Sequence, residues 1–273
     1  SLPIDANARG SEFEKICKWF LSNSPEYKNL LNRVWLWDEW PNRPGPDIGI
    51  DIVAETPDGK LWAIQCKAYS SSLQINKSDI DSFLSISASS QFSYRLLIST
   101  TNLIGPNAEK TLRVQEKPIG RLLLSDLRNS NVNWSGWLNP SAPISEPVKS
   151  PLPHQEQAIN DVLAGLQEND RGQMIMACGT GKTLVSLWIY ERLNPNHTLV
   201  LVPSLSLMAQ TIREWTANAT VKFNYIAVCS DPTVYSKNSD EYVASITELG
   251  QPVTTDPKEI KQFLSGSGSK VVF

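Results

Sequence analysis

Two short runs in this chain carry residue types that can do acid–base and metal chemistry together. Gly45-Pro46-Asp47-Ile48-Gly49-Ile50-Asp51 supplies carboxylates, and Trp62-Ala63-Ile64-Gln65-Cys66-Lys67 supplies an amide and an amine. On a strand alternate residues share a face, so Gln65 and Lys67 point one way and Ile64 and Cys66 the other. The Pro57-Asp58-Gly59 turn folds the second run back on the first as a hairpin. An acid, an amide and an amine then converge at one strand end, an arrangement suited to phosphodiester hydrolysis. Asp51 would bind Mg²⁺ or Mn²⁺, hard cations that prefer oxygen ligands, with the Gln65 side-chain oxygen and the Cys66 backbone carbonyl completing the shell. Lys67 would orient or deprotonate the attacking water and offset charge on the phosphorane. Glu14, on the first helix, would reach the same metal or its water, with Glu12 as the alternative. By spacing alone, Asp47 and Asp51 are both candidates for the metal-binding acid.

A second run does phosphate chemistry. Met176-Ala177-Cys178-Gly179-Thr180-Gly181-Lys182-Thr183 follows a predicted strand and opens a predicted helix, the context of a Walker A loop. Gly179 and Gly181 let backbone N–H groups, including that of Thr180, turn inward onto phosphates. Lys182 would neutralise the β- and γ-phosphates of ATP, and Thr183 would place its hydroxyl on Mg²⁺. Met176 stands where the generic pattern has its first glycine, as is common in the superfamily 2 helicases that this run resembles. Pro153-His154-Gln155-Glu156-Gln157-Ala158 resembles the helicase Q motif, in which Gln155 would read adenine through its amide. Leu199 to Leu207 with Gln210 is similar to motif Ia, a contact to the DNA backbone. No apolar strand ending in Asp-Glu follows, so the expectation is weak nucleotide binding without useful ATP hydrolysis.

Around these runs the pattern gives two domains. Residues 139–153 hold five prolines among small polar residues, an extended linker. Before it, in 1–138, the spacing predicts a helix over Ser11–Leu21 and strands near Val34–Trp37, Ile48–Ala54, Leu61–Ala68, Arg95–Ser99 and Arg121–Leu124. Helices at Ile80–Ile86 and Asn107–Gln115 complete a mixed sheet with helices packed on it. After it, in 154–273, strands at Met174–Ala177, Thr198–Val202 and Tyr225–Val228 alternate with helices at His154–Leu166, Lys182–Leu193 and Leu205–Trp215. That alternation predicts a parallel, doubly wound sheet. Residues 230–239 read as a polar loop, and 270–273 as the start of a further strand. The fold class is therefore α/β: a mixed-sheet domain followed by part of a RecA-like parallel domain.

Composition narrows the classes. The chain has 273 residues, 41% of them hydrophobic, and a formal net charge of −3, which excludes wholesale disorder and any overall basic charge for gripping nucleic acid. Residues 1–140 hold 15 Lys+Arg against 15 Asp+Glu, so this half would not grip DNA strongly unaided. No apolar run approaches the ~20 residues of a membrane helix. The four cysteines are widely spaced, with no metal-binding pair, and favour a reducing cytoplasm. Seven of the nine tryptophans precede residue 140; Trp35, Trp37 and Trp40 could stack on bases but are more simply core. His154 and His197 are isolated, and Asp79 and Asp81 sit at a helix start, where they offset its dipole.

Together, Gly10-Ser-Glu-Phe-Glu14, Gly45 to Lys67, Leu97-Ile-Ser-Thr-Thr101 and Gly120-Arg-Leu-Leu-Leu124 resemble the Mrr-like branch of the PD-(D/E)xK restriction endonucleases. That branch often carries Gln before x-Lys, as Gln65 does. The resemblance favours Asp51 over Asp47 and Glu14 over Glu12. A nuclease of this kind, a proline-rich linker and the start of a superfamily 2 motor resemble the N-terminal portion of type ISP restriction–modification enzymes. The resemblance implies a nuclease that cuts double-stranded DNA, gated by an ATP-driven translocase. Remaining motor, methyltransferase and target-recognition domains would follow. The alternative is a repair or remodelling motor whose nuclease fold is an inactive DNA-binding module.

Overall fold

The computed structural model describes residues 5–46, 49–117, 119–139, 141, 143, 147–229 and 249–273. It divides into two units: the first takes the described residues up to 143 together with 249–252, the second 147–229 with 253–273.

The first unit is a mixed five-stranded sheet with helices on both faces. Its elements are α1 (Ala6–Asn23), α2 (Pro25–Leu30), β1 (Arg33–Leu36), β2 (Ile52–Glu55), β3 (Leu61–Lys67), α3 (Asp81–Ser87), β4 (Phe92–Ser99), α4 (Pro106–Arg113), β5 (Ile119–Leu122), α5 (Leu124–Arg128) and α6 (Ser135–Leu138). Strand order is β1-β2-β3-β4-β5. The first three strands run antiparallel, β2 and β3 joined by the short turn 56–60; β3, β4 and β5 run parallel, with α3 and α4 in the crossovers.

Helix α1 starts where Asp5 accepts a hydrogen bond from the Ala8 amide at 2.8 Å. Its Phe13, Cys17, Phe20 and Leu21 fall on one stripe and are buried against Ile52, Ala54, Trp62, Ile64 and Cys66. Each such side chain contributes about 1.5–3 kcal/mol by leaving water. The opposite face of the sheet, with Val53, Ala63 and Leu97, packs on Phe83 and Leu84 of α3, Leu112 of α4, and Trp37 and Trp40. Trp37 and Trp40 are thus core residues, their rings 5.6 Å apart.

One core residue is charged. Arg95 on β4 is 1% exposed and is held by the Gln115 Oε1 at 3.1 Å and by the Lys117 carbonyl. Lys117 in turn donates to the carbonyls of Ser87, Ala88 and Ser89 at the end of α3. The negative end of that helix offsets the cation. Burial lowers the pKa of the Arg95 guanidinium.

The second unit holds α7 (Pro153–Glu168), α8 (Lys182–Leu193), β6 (His197–Leu199), α9 (Leu205–Asn218), β7 (Asn224–Val228), β8 (Val253–Thr254), α10 (Pro257–Leu264) and β9 (Lys270–Val272). Its sheet is parallel throughout, in the order β6-β9-β7-β8. Helices α7 and α8 meet through Ile159, Val185 and Trp188. Trp215 of α9 packs on Tyr190, Phe223 and Phe273.

Two elements depart from the sequence pattern. Met174–Ala177 is not a strand, and Ile175 is 90% exposed; among the described residues no strand lies beside it to supply a ladder. The second strand expected in that half, Thr198–Val202, is short: β6 ends at Leu199, and Leu201 is 83% exposed. Helix α10 was not legible from the apolar spacing, although Asp256 caps it and Pro257 opens it. The loop expected over 230–239 lies outside the described residues.

Candidate nuclease site and phosphate loop

The β2–β3 ladder ends with Ile52 opposite Ile64, one residue short of Asp51 and of Gln65. The Asp51 amide donates to the Ile64 carbonyl at 3.0 Å, and the Asp51 carbonyl accepts from the Trp37 amide at 2.8 Å. This backbone is held on both sides, so the carboxylate direction is fixed: Asp51 Oδ2 accepts from the Cys66 amide at 2.6 Å. Asp47 lies outside the described residues.

Gln65 is 4% exposed. Its Nε2 donates to the Gly49 carbonyl at 3.2 Å, which orients the amide. Gly49 sits at φ 108°, where an added Cβ would come within 3.2 Å of Ser82 Cβ, so only glycine fits this turn. Gln65 Oε1, at the other end of the amide, is buried without a hydrogen-bond partner. A stranded buried acceptor costs about 1–3 kcal/mol. An oxygen left open beside a carboxylate-bearing strand end is what a hard cation, or water bound to one, would use. No group of three His, Cys, Asp or Glu side chains converges here among the described residues, so a cation would rely on the amide and backbone oxygens as well.

Burial pushes the Cys66 thiol well up, and Cys17, Asp51 and Glu14 raise it further. The thiol is therefore a packed, protonated group rather than a nucleophile. Asp51 and Glu14 of α1 are thus both near enough to Cys66 to act on it electrostatically. Glu12 instead pairs with Lys15 at 3.7 Å, with both side chains exposed to solvent. Lys67 is half-buried at the last position of β3. Its carbonyl accepts from the Thr100 amide and from Ser99 Oγ, each at 3.1 Å. Nothing in the apolar pattern marks Ser99 and Thr100; the signals are three hydroxyl residues in a row at a strand end and their place in the Leu97–Thr101 run that shares the family resemblance.

The phosphate loop lies between Ala177 and α8. Gly179 and Gly181 take φ of 76° and 83°, the left-handed region, and a Cβ on Gly181 would sit 2.5 Å from Gln155 Nε2. Lys182 Nζ donates to the Met176 and Ala177 carbonyls at 3.2 and 3.0 Å, folding the ammonium onto the loop. Thr180 Oγ1 donates to the Ala177 carbonyl at 2.7 Å. Thr183 opens α8, and its carbonyl accepts from Trp215 Nε1 at 3.0 Å, which ties α9 to the loop. Gln155, the expected adenine reader, also binds the loop itself. Its Oε1 accepts from the Leu152 amide and its Nε2 donates to the Thr180 carbonyl, both at 2.9 Å, so both ends of the amide engage protein.

Residues 22–142 match the family model described as restriction endonuclease (Mrr_cat_2), and residues 149–270 match that of the Type III restriction enzyme, res subunit (ResIII). The chain is similar to the solved ATP-dependent Type ISP restriction-modification enzyme LlaBIII bound to DNA, at 36% identity and a TM-score of 0.81 over 96% of this chain. It spans 17% of the length of that enzyme. A nuclease-deletion mutant of the Type ISP enzyme LlaGI, in complex with a DNA substrate mimic, is 38% identical over 46% of this chain and 12% of its own, with a TM-score of 0.37. No curated protein sequence matches. No helix among the described residues is long and apolar enough to cross a membrane. The chain thus joins a domain of the Mrr_cat_2 restriction endonuclease family, over residues 22–142, to a domain of the Type III restriction enzyme res-subunit family, over residues 149–270.

Proposed function

We propose that the first unit hydrolyses phosphodiesters of double-stranded DNA with a divalent cation, and that the second binds ATP as part of a DNA translocase acting in restriction. The observation that carries the nuclease reading is the buried, unpartnered Gln65 Oε1 next along the strand from Cys66, whose amide holds the Asp51 carboxylate. Asp51, Gln65 Oε1 and the Cys66 carbonyl would hold Mg²⁺ or Mn²⁺, which when bound supplies Lewis acidity at the scissile phosphate. Lys67 orients the attacking water and donates to the charge that builds on the phosphorus oxygens. Glu14 accepts a proton from, or orients, water at the same site. Substituting Gln for the acid of the family pattern leaves fewer carboxylates, so the cation binds weakly until DNA adds a phosphate oxygen.

In the second unit, Lys182 would leave the Met176 and Ala177 carbonyls for the β- and γ-phosphates of ATP. The amides around Gly179, Thr180 and Gly181 would cradle those phosphates, and Thr183 would meet the nucleotide's Mg²⁺. Gln155 would then act on nucleotide through the loop it holds as well as through adenine. Similarity to the ATP-dependent Type ISP restriction-modification enzyme LlaBIII bound to DNA supports a role in restriction; motor, methyltransferase and target-recognition parts would lie in the same polypeptide, in the cytoplasm. The test is nicking of supercoiled plasmid with Mg²⁺ or Mn²⁺, by this chain and by the full-length enzyme with ATP. Cleavage lost in both Asp51→Ala and Lys67→Ala supports the site. Cleavage that survives either substitution refutes it.

A further inference from the structure

The parallel ladder between β3 and β4 ends where Lys67 meets Ser99. Beyond that point side chains take over from the sheet. The Lys67 carbonyl accepts from the Thr100 amide and Ser99 Oγ. Thr100 Oγ1 lies 2.6 Å from the Tyr69 carbonyl and 3.4 Å from that of Lys67. A hydroxyl has one proton, so it donates to the nearer, Tyr69. Between them, the Ala68 carbonyl accepts from Arg9 Nε of α1 at 3.1 Å. The next hydroxyl, Thr101 Oγ1, donates to the Ser71 carbonyl at 3.3 Å. Ser99 and Thr101 are fully buried. Every carbonyl from Lys67 to Tyr69 is thus held after the strand has left the sheet.

A segment leaving a sheet is normally free to fray. Here the freedom would matter, because a lysine places its ammonium only as well as its Cα is placed. We propose that Ser99 and Thr100 are positioning residues for the nuclease reaction: they clamp the backbone at Lys67–Tyr69 so that the Lys67 ammonium stays aimed at the strand end carrying Asp51 and Gln65. The role rests on the assignment of Lys67 to the nuclease site. Neither hydroxyl touches the reacting atoms. Displacement of a catalytic group by about 1 Å is enough to lower a rate by about 100-fold.

The experiment compares Thr100→Val, Thr100→Ser, Ser99→Ala and Thr101→Val in the full-length enzyme, with ATP and divalent cation, beside Lys67→Ala. Thr100→Val removes the hydroxyl at nearly constant shape. Its cleavage rate constant at saturating DNA falls by about tenfold or more, with half-saturating DNA unchanged. Thr100→Ser, which keeps the hydroxyl, restores the rate. Ser99→Ala loses rate in the same way and serves if Thr100→Val does not fold. Amide hydrogen exchange over residues 66–72 rises several-fold in Thr100→Val and not in Thr100→Ser. Thr101→Val, whose hydroxyl binds beyond the clamped segment, is the structural control and retains the rate. Parental cleavage by both Thr100→Val and Ser99→Ala overturns the proposal, as does failure of Thr100→Ser to rescue, or an equal loss in Thr101→Val. Lys67→Ala that still cuts at the parental rate refutes the nuclease site itself, and the positioning role with it. Inactive Lys67→Ala beside fully active Thr100→Val refutes the positioning role alone.

Discussion

Gln65→Glu restores the acid of the general nuclease pattern, and its cost can be worked from the structure. The substitution exchanges the Nε2 donor, now 3.2 Å from the Gly49 carbonyl, for a second acceptor. That loses a hydrogen bond worth about 1 kcal/mol. It also adds a second carboxylate one residue from Cys66, whose amide holds Asp51 Oδ2, and the two are taken as about 5 Å apart, the spacing of neighbouring side chains on paired strands. At an effective dielectric of about 20 their repulsion is about 3 kcal/mol, which lifts the introduced carboxyl's pKa. Burial at 4% exposure pushes in the same direction. The sign follows from proton binding. A carboxyl whose pKa is raised by folding is tolerated when protonated, below its unfolded value of about 4.3. Its penalty grows as pH rises through the raised folded value. In EDTA the variant's first unit is therefore only about 1 kcal/mol less stable than the parent near pH ~4 and loses about 3–4 kcal/mol by pH ~8. For a unit of this size that lowers the melting temperature on the order of 10 °C. A divalent cation between the two carboxylates removes the repulsion, so Mg²⁺ or Mn²⁺ raises the variant's melting temperature more than the parent's. Calorimetry across pH, with EDTA and with each cation, reads all of this. A variant as stable as the parent at pH ~8 in EDTA, or one that neither cation rescues, refutes the juxtaposition of Gln65 and Asp51 as a cation site.

Other consequences can be checked directly. Gly181→Ala forces a side chain into φ 83° and against Gln155 Nε2. It costs about 2–3 kcal/mol in urea unfolding of the second unit, and less in a Gln155→Ala background where the overlap is gone. Equal cost in both backgrounds would show that the contact does not form. Trp215→Phe removes the bond from Nε1 to the Thr183 carbonyl and destabilises the second unit by about 1 kcal/mol. Unchanged urea midpoints would count against that tie. Brief alkylation of the native chain labels exposed Cys178, while Cys17 and Cys66 react only after unfolding. Mass mapping that finds Cys66 modified as fast as Cys178 would contradict its burial.

Much of the site was legible before any coordinates because it is local. The Pro57-Asp58-Gly59 turn predicts a hairpin, and the structure pairs β2 and β3 antiparallel up to Ile52 and Ile64, the residues next to Asp51 and Gln65. The glycines at 179 and 181 were legible for the same reason: their left-handed φ is a property of the loop itself. Tryptophan was less informative. Trp37 and Trp40 belong to the core, a matter of which sheet face their loop covers.

What the sequence by itself determined is which groups exist, which strands alternate, and where backbone must take a conformation reserved for glycine. Those properties follow from neighbours along the chain. The tertiary structure decided the partners. It turned the Gln155 amide onto the Thr180 carbonyl, left Gln65 Oε1 without one, and buried Arg95 at the end of α3. It also set Ser99 and Thr100 on the Lys67–Tyr69 carbonyls and left Met174–Ala177 without a ladder. Each of these depends on a group dozens of residues away, or on a neighbouring strand. A hydrogen bond is worth making only where the fold brings donor and acceptor within about 3 Å, and no pattern read along one chain carries that distance.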